Sequence, residues 1–333
     1  LNAPESRGAL EERTEPSVLQ LQVRGIRLQA EGIHAFELAH PHGEALPDAE
    51  AGAHVDVHLP GGLVRSYSLA GDPADRSCWT LGVLREAKGL GGSRAMHDGV
   101  RVGDVIAVGR PRNAFPLVKG AAHIILLAGG IGITPLKAMA HVAAREGRSF
   151  ELHYCARSER HAAFADELRA LVPERNLHFH FDGGDPARGL DIAALLADPA
   201  KGRHVYYCGP GGFMKACADA TRHWPQEYVH CEHFKAPELT PSQDSAAGSF
   251  EVKLARSGVS VQVQPDQTIV RAIELAGHRV PTSCLSGLCG ACKVEYIEGE
   301  VDHRDYILTD EERAHSVAIC VSRAKSRCLV LDL

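Results

Sequence analysis

Apolar positions in the first third of the chain fall in short runs, many with a period of two: 17–28, 35–39, 55–59, 65–70, 79–84 and 105–108. Gly61-Gly62, Asp72-Pro73 and Gly103-Asp104 separate them. Strands at regular spacing with turn chemistry between them predict an antiparallel β-barrel, with one short helix at 93–98. Near residue 120 the period changes. A continuous apolar run at 123–128 meets Gly129-Gly130-Ile131-Gly132, and Thr134-Pro135 then opens a helix reaching about 146. Strands at 150–155, 177–181 and 204–208 alternate with helices at 162–171, 192–196 and 212–223, which predicts a parallel sheet with helices on both faces.

Residues 237–248, PELTPSQDSAAG, show no period and read as an extended linker. Beyond them, 250–255 and 259–263 pattern as a hairpin around Ser257-Gly258, 268–276 as a helix and 329–333 as a closing strand. The expectation is a multidomain chain: a flexible tail over 1–17, an antiparallel barrel over 18–119, an α/β parallel-sheet domain over 120–236, the linker, and a small α+β domain over 249–333.

Composition narrows the function classes. At 333 residues, 44% hydrophobic and 23% charged, every domain has material for a core. A formal net charge of -6 with both signs interspersed offers no basic stripe for nucleic acid. No apolar run approaches the roughly 20 residues of a membrane span. The first 16 residues are polar and rich in Glu, unlike a signal or transit peptide, so a cytoplasmic monomer is expected.

The ten cysteines are too dilute for a disulfide scaffold, and their placement is more informative than their number. Cys284, Cys289, Cys292 and Cys320 are spaced C-x4-C-x2-C-x27-C, with Gly287 and Gly290 in the tight loop. That is the plant-type [2Fe–2S] spacing, whereas a zinc site normally brings paired short spacings in both halves. Cys328 falls outside the pattern and reads as a structural thiol. The 19 histidines are dispersed and read as surface or satisfied core residues.

Two further strings carry chemistry. Arg65-Ser66-Tyr67-Ser68-Leu69 lies on a predicted barrel strand, with Gly91-Gly92-Ser93 opening the short helix. A flavin needs a flat wall, a hydroxyl to hydrogen-bond its ring, and a cation plus helix-end amides for its phosphate; these residues supply such groups. Gly129 to Pro135 joins a strand to a helix, as a pyrophosphate site requires, although the G-x-G-x-x-G spacing is absent. Cys208-Gly209-Pro210-Gly211 ends a later strand at the carboxyl edge where α/β sheets bind ligands. No His/Asn arrangement supports Cys208 as a nucleophile.

The order R-S-Y-S-L, G-G-I-G-I-T-P, Y-C-G-P and C-x4-C-x2-C-x27-C, with GEVDHRD at 299–305 and CVSRAKS at 320–326, resembles the phthalate dioxygenase reductase family of the ferredoxin-NAD(P)+ reductase superfamily. The resemblance implies an FMN-binding barrel, an NAD-binding domain and a carboxyl-terminal β-grasp ferredoxin. It implies that electrons pass from NADH through FMN and the cluster to a separate Rieske-type oxygenase of aromatic catabolism. It places FMN against Arg65, Ser66, Tyr67, Ser68, Gly82, Val83, Leu84, Gly91, Gly92, Ser93, Thr134 and Phe234. NADH falls to Gly129, Gly130, Pro135, Arg157, Asp182, Cys208, Gly209 and Pro210, and the cluster to the four cysteines. Relatives often carry Lys where Leu84 stands, and FAD-type relatives often place Ser where Gly71 stands, which favours FMN.

Such transfers need oriented cofactors more than acid or base groups, so no catalytic residues are expected beyond those that position cofactors. The competing functions are a reductase for an aromatic O-demethylase, an electron-carrier ferredoxin without reductase activity, and a free-standing flavin or ferric reductase. The intact Arg65 and Gly129 strings argue against a bare carrier, and the ferredoxin against a bare flavin reductase. Arg157 could hold a 2′-phosphate, but Glu159, Asp182 and Asp185 oppose one, and the resemblance favours NADH. Eight carboxylates between 294 and 313 face only Arg304 and Arg313, which suggests an acidic docking patch for the oxygenase.

Overall fold

The computed structural model describes residues 18–87, 91–234, 248–282, 285, 287 and 290–333. The expected tail at 1–17, all of the expected linker except Gly248, and the ligand candidates Cys284 and Cys289 lie outside the described residues.

Six strands form the first unit: β1 (Val18–Ala30), β2 (Ile33–Ala39), β3 (His54–Leu59), β4 (Leu63–Ser68), β5 (Trp79–Leu84) and β6 (Val105–Gly109). Their order is β4-β3-β6-β1-β2-β5, antiparallel throughout. The sheet closes on itself just past β4, where Leu69 bridges Leu81 and Ala70 N donates to Thr80 O at 2.8 Å. The alternation legible in the sequence fills the barrel: Leu21, Val23, Phe36, Leu38, Val55, Val57, Leu81 and Val108 point inward. Helix α1 (Gly92–Gly99) covers one end, with Met96 buried.

The second unit alternates β7 (His123–Gly129), α2 (Ile133–Arg145), β8 (Phe150–Ala156), α3 (Ala165–Leu171), β9 (Leu177–Phe181), α4 (Ile192–Leu195), β10 (Arg203–Cys208), α5 (Gly211–Ala220) and β11 (Val229–Glu232). All five strands are parallel, in the order β11-β10-β7-β8-β9. The sequence pattern did not predict β11. The helix expected from 162 begins at Ala165 instead, because Phe164 adopts a left-handed backbone (φ 60°) that no helix accommodates.

The third unit contains β12 (Phe250–Leu254), β13 (Val259–Val263), α6 (Ile269–Leu275), β14 (Lys293–Glu298), β15 (Val301–Asp302), α7 (Asp310–Arg313), β16 (Ser316–Ala318), β17 (Arg323–Ala324) and β18 (Cys328–Leu331). Its five-stranded sheet runs β13-β12-β18-β14-β16, with β12 and β18 parallel as in a β-grasp fold. Val252, Ile269, Ile273 and Leu329 lie in its separate core. The unpredicted α7 has a capping box: Thr309 accepts from Glu312 N while Glu312 accepts from Thr309 N. Among the described residues no helix is long and apolar enough to cross a membrane.

The barrel and the parallel sheet share one continuous core. Ile33, Ala35 and Ala70 from the barrel pack with Ile133, Leu136 and Phe164. Inside this seam lies Lys137, only 3% exposed. Its ammonium donates to Ala70 O at 2.9 Å, pairs with Glu167 Oε2 at 2.9 Å and lies 5.1 Å from the Phe164 ring centroid. Burial alone would raise the Glu167 carboxyl, but Lys137, with help from the Gln29 hydrogen bond and Arg27, outweighs it and holds that group below its ordinary value. Lys137→Met should therefore destabilise the protein by about 2 kcal/mol, less than loss of half a wholly buried pair because Glu167 keeps some contact with water. Denaturant titration of Lys137→Met, Glu167→Gln and the double variant checks this, with the double variant recovering part of the loss.

Candidate functional site

The parallel sheet reverses its strand order at β7, so the chain leaves the carboxyl ends of β7 and β10 in opposite directions and opens a crevice between them. Glycines permit the close approach there. A side chain at Gly132 would overlap the Cys208 carbonyl, one at Gly129 would meet Pro210 Cδ at 2.9 Å, and one at Gly209 would meet Phe213 at 2.6 Å and Gly129 Cα at 3.0 Å. The missing Cβ atoms thus let the ends of β7 and β10 and the start of α2 lie against one another at the switch point. Pro135 sits in the first turn of α2, buried. Gly130 adopts φ 53° and has open space around it.

The outer half of the crevice is formed by the ends of β8 and β9. Gly183 N donates to Arg157 O at 2.9 Å and Asp182 N to Ala156 O at 3.2 Å, which holds the two loops side by side. Asp182 Oδ1 accepts from Gly184 N at 2.7 Å. The structure brings Arg157 and Asp182, 25 residues apart in sequence, onto neighbouring loops, the two residues that the sequence reading weighed against each other for a 2′-phosphate.

Across the crevice stands the lip of the barrel. A side chain at Gly82 would meet Thr134 Cγ2 at 2.6 Å and Phe164 Cε2 at 2.9 Å, so this glycine is where β5 lies flat on the second unit. Thr134 presents its methyl group there and spends its hydroxyl on Ile131 O at 3.0 Å. Val83 points into the barrel core and its carbonyl meets His97 Nε2 at 2.9 Å, while Leu84 packs against the shared core. These two side chains are structural, and only their backbone borders the lip.

Arg65 lies across the start of α1, so close that a Cβ at Gly92 would overlap its side chain, and its guanidinium donates to Val64 O at 2.7 Å. The αL backbone of Gly91 (φ 88°) opens that helix with no side-chain cap, which puts a cation beside its first amides. Ser93 Oγ accepts from Glu86 N at 3.0 Å. Tyr67 is half-buried on the barrel core, and burial pushes its phenol up to about 12. Ser66 Oγ donates to Asp56 Oδ1 at 2.7 Å, and Arg112 donates to Asp56 Oδ2 at 2.7 Å. Neither Asp56 nor Arg112 was expected from sequence. Their role exists only because β3 pairs with β4, opposing Asp56 to Ser66.

The sequence reading also missed Glu232. The β10 and β11 ladder sets it opposite Cys208, and Ser68 Oγ donates to its Oε2 at 3.4 Å across 164 residues of chain. Burial raises the Glu232 carboxyl to about 8, although the Ser68 hydrogen bond opposes the shift. Burial, with Glu232 and Cys231 adding to it, raises the Cys208 thiol well above its ordinary value, which removes any nucleophile reading. Phe234 follows, exposed, two residues beyond Glu232.

In the third unit Cys292 and Cys320 are both 3% exposed. They flank the β14 and β16 ladder, where Lys293 opposes Ala318, and Ile319 N donates to Cys292 O at 3.3 Å. Gly287 (φ 71°) and Gly290 (φ 73°) supply the left-handed turns of the loop, and a side chain at Gly287 would strike Val321. The two described thiols and this glycine loop fit a thiolate-held cluster. Tyr306 N donates to Gly287 O at 3.1 Å, and the Tyr306 ring lies 5.3 Å from that of His233, next to Glu232. The end of the parallel sheet therefore touches the cluster loop's own support.

The expected acidic docking patch is weaker than its sequence suggested. Asp305 is buried, accepts from Leu308 N at 2.9 Å and has Arg313 3.8 Å from its Oδ2. Asp302 is paired with Arg304 at 2.6 Å and Glu312 with Lys293 at 3.0 Å.

Fold and site together define a redox chain: a closed barrel and a nucleotide-binding sheet around one crevice, joined to a cluster-binding unit. Comparison with known proteins agrees. Residues 252–325 match the family model of the 2Fe-2S iron-sulfur cluster binding domain, and 126–219 that of the oxidoreductase NAD-binding domain. The reductase subunit of tert-butanol monooxygenase / tert-amyl alcohol desaturase from Aquincola tertiaricarbonis is 49% identical, over 95% of this chain and 96% of its own. Vanillate O-demethylase oxidoreductase from Pseudomonas sp. (strain HR199 / DSM 7063) is 45% identical, over 95% of this chain and all of its own. The solved structure of phthalate dioxygenase reductase, described as a modular structure for electron transfer from pyridine nucleotides to [2Fe–2S], superposes with a TM-score of 0.73 at 42% identity, over 95% of this chain and 98% of its own. The chain belongs to the phthalate dioxygenase reductase family.

Two outcomes follow from the crevice. Gly132→Ala must push the β7 and β10 ends apart, so KM for NADH should rise roughly tenfold or more while flavin content stays unchanged, as steady-state kinetics and flavin quantitation will report. Glu232 keeps its proton up to about pH 8 when folded but ionises near 4.5 when unfolded, so its contribution to stability falls as pH rises between those values. The Tm of Glu232→Gln relative to the parent should therefore climb from pH 5 to pH 8, and a pH-independent difference would contradict the protonated state.

Proposed function

We propose that this chain is the reductase component of a multicomponent oxygenase system, passing electrons from NADH through FMN to a [2Fe–2S] cluster and on to a separate, Rieske-type oxygenase. The observation that carries this reading is the convergence of Ser68, Cys208 and Glu232 on one crevice, with His233 and Tyr306 linking its rim to the cluster loop. The functional domains are the barrel over 18–119 for FMN, 120–236 for NADH and 249–333 for the cluster, with 237–248 as linker.

Flavin chemistry supplies the step from two-electron to one-electron transfer. The residues' tasks are binding and orientation. Arg65 and the Gly91, Gly92 and Ser93 turn hold the phosphate; Ser66 is fixed by Asp56 and Arg112; Tyr67, Ser68 and the backbone of Gly82, Val83 and Leu84 border the ring, with Thr134 and Phe234 across from them. Gly129, Gly130, Pro135, Cys208, Gly209 and Pro210 frame the nicotinamide nucleotide. A neutral Glu232, bonded to Ser68, leaves that part of the crevice without a negative charge at pH 7. Asp182, beside Arg157, accepts a ribose hydroxyl and disfavours a 2′-phosphate, which selects NADH. Cys284, Cys289, Cys292 and Cys320 hold the cluster.

The oxygenase, not this chain, sets the final substrate. Relatives named for vanillate, phthalate and tert-butanol each match over about 95% of this chain, so the likeness itself singles out no one substrate.

The test is Cys320→Ser in the full protein. The parent should contain one FMN and two iron per chain. The variant should lose the iron and its delivery of electrons to a one-electron protein acceptor, yet keep NADH-driven reduction of ferricyanide. Loss of both activities together would overturn the assignment of separate flavin and cluster units.

A further inference from the structure

Four of the histidines that looked dispersed in sequence, His123, His153, His178 and His180, converge on one face of the parallel sheet. Under α4 and α5 that face is apolar, with Ile125, Leu127, Val205 and Tyr207 in one cluster. Register continues the same face onto β8 and β9, where Ile125 is opposite Glu151, Leu127 opposite His153, and His153 opposite His178. There the side chains turn from apolar to metal-ligating. Glu151, His153 and His178 each bring a ligand atom within 4.8 Å of the other two.

Three features make this more than a polar rim. His153 is only 6% exposed, and its Nε2 has no hydrogen-bond partner of good geometry among the described residues, lying in ion-pair range of Glu151 Oε2 at 3.4 Å. Two ligands of a tetrahedral zinc, each about 2.0–2.1 Å from the metal, stand about 3.4 Å apart. The other His153 nitrogen, Nδ1, shares a hydrogen bond with His180 Nε2 at 3.0 Å, the outer contact that orients a ligating imidazole. The second Glu151 oxygen is held in the same way: His123 Nε2 lies 3.3 Å from Oε1, and His123 Nδ1 is anchored on Ser149 Oγ at 2.8 Å.

We propose that Glu151, His153 and His178 form a zinc-class divalent-cation site, with His180 and His123 as its outer partners and a fourth position open to water. Two imidazoles and a carboxylate are the borderline nitrogen and oxygen donors that suit zinc. The site joins β8 to β9, the edge strand, which among the described residues is paired on one side. Its occupation fastens that edge below Asp182, which follows the last residue of β9. No residue of the crevice or the cysteine tetrad takes part.

Equilibrium dialysis of the iron-loaded, flavin-loaded protein against micromolar zinc, with elemental analysis, tests this. One zinc per chain beyond the iron is expected, with a raised Tm and unchanged iron. His178→Gln, at a half-exposed position that need not disturb folding, and His153→Ala should abolish that uptake. His180→Ala should weaken it by about 10-fold to 100-fold. Zinc-edge absorption should show imidazole and oxygen ligands without sulfur. No stoichiometric uptake, uptake unchanged in His178→Gln, or sulfur ligation of the bound zinc would each overturn the proposal.

Discussion

The seam between barrel and parallel sheet is the constraint on which the rest depends. It closes because Gly82 has no side chain where Thr134 and Phe164 press against β5. The left-handed backbone of Phe164 is an uncommon conformation for a bulky residue, held here by a core that runs uninterrupted from one unit to the other. Lys137 adds direction to that apolar contact, since its ammonium must find both Ala70 O and Glu167. With the seam set, β4, the start of α1 and the ends of β7 and β10 have fixed positions around a single crevice.

Polar groups inside the crevice follow from pairing rather than from local sequence. Asp56 faces Ser66 because of the β3 and β4 register, and Glu232 faces Cys208 because β11 lies beside β10. The two carboxylates are managed differently. Asp56 is matched by Arg112, whereas Glu232 is bonded to the Ser68 hydroxyl and, among the described residues, forms no ion pair, so burial holds its proton on.

Much of this was legible in sequence. The barrel strands announced themselves because every second residue must enter a closed core, and the βα units because buried parallel strands read as apolar runs. The glycine and cysteine strings were readable since their spacing is itself the constraint. What escaped had a different origin. Val229–Glu232, sequence VHCE, is short and polar, and only its neighbour β10 makes it a strand. The start of α3 was misplaced because nothing local marks Phe164 as left-handed. Asp305 counted as surface charge although the fold buries it against backbone amides, and the histidines of β8 and β9 needed a register before they could be neighbours. The capping box of α7 was present as Thr309 to Glu312 and would have predicted that helix.

The cluster-bearing unit has a hydrophobic core of its own, with no member before Phe250, while the cores of the other two units end before it. Cutting the chain between 235 and 247 would therefore split none of the hydrophobic clusters formed by the described residues. What a cut changes is encounter. A tethered carrier meets its donor at an effective concentration set by tether length, whereas a detached one depends on its abundance in solution. A gene could thus rearrange these units, or move the carrier to another chain, without redesigning any interior; the cost would appear as slower turnover rather than as misfolding.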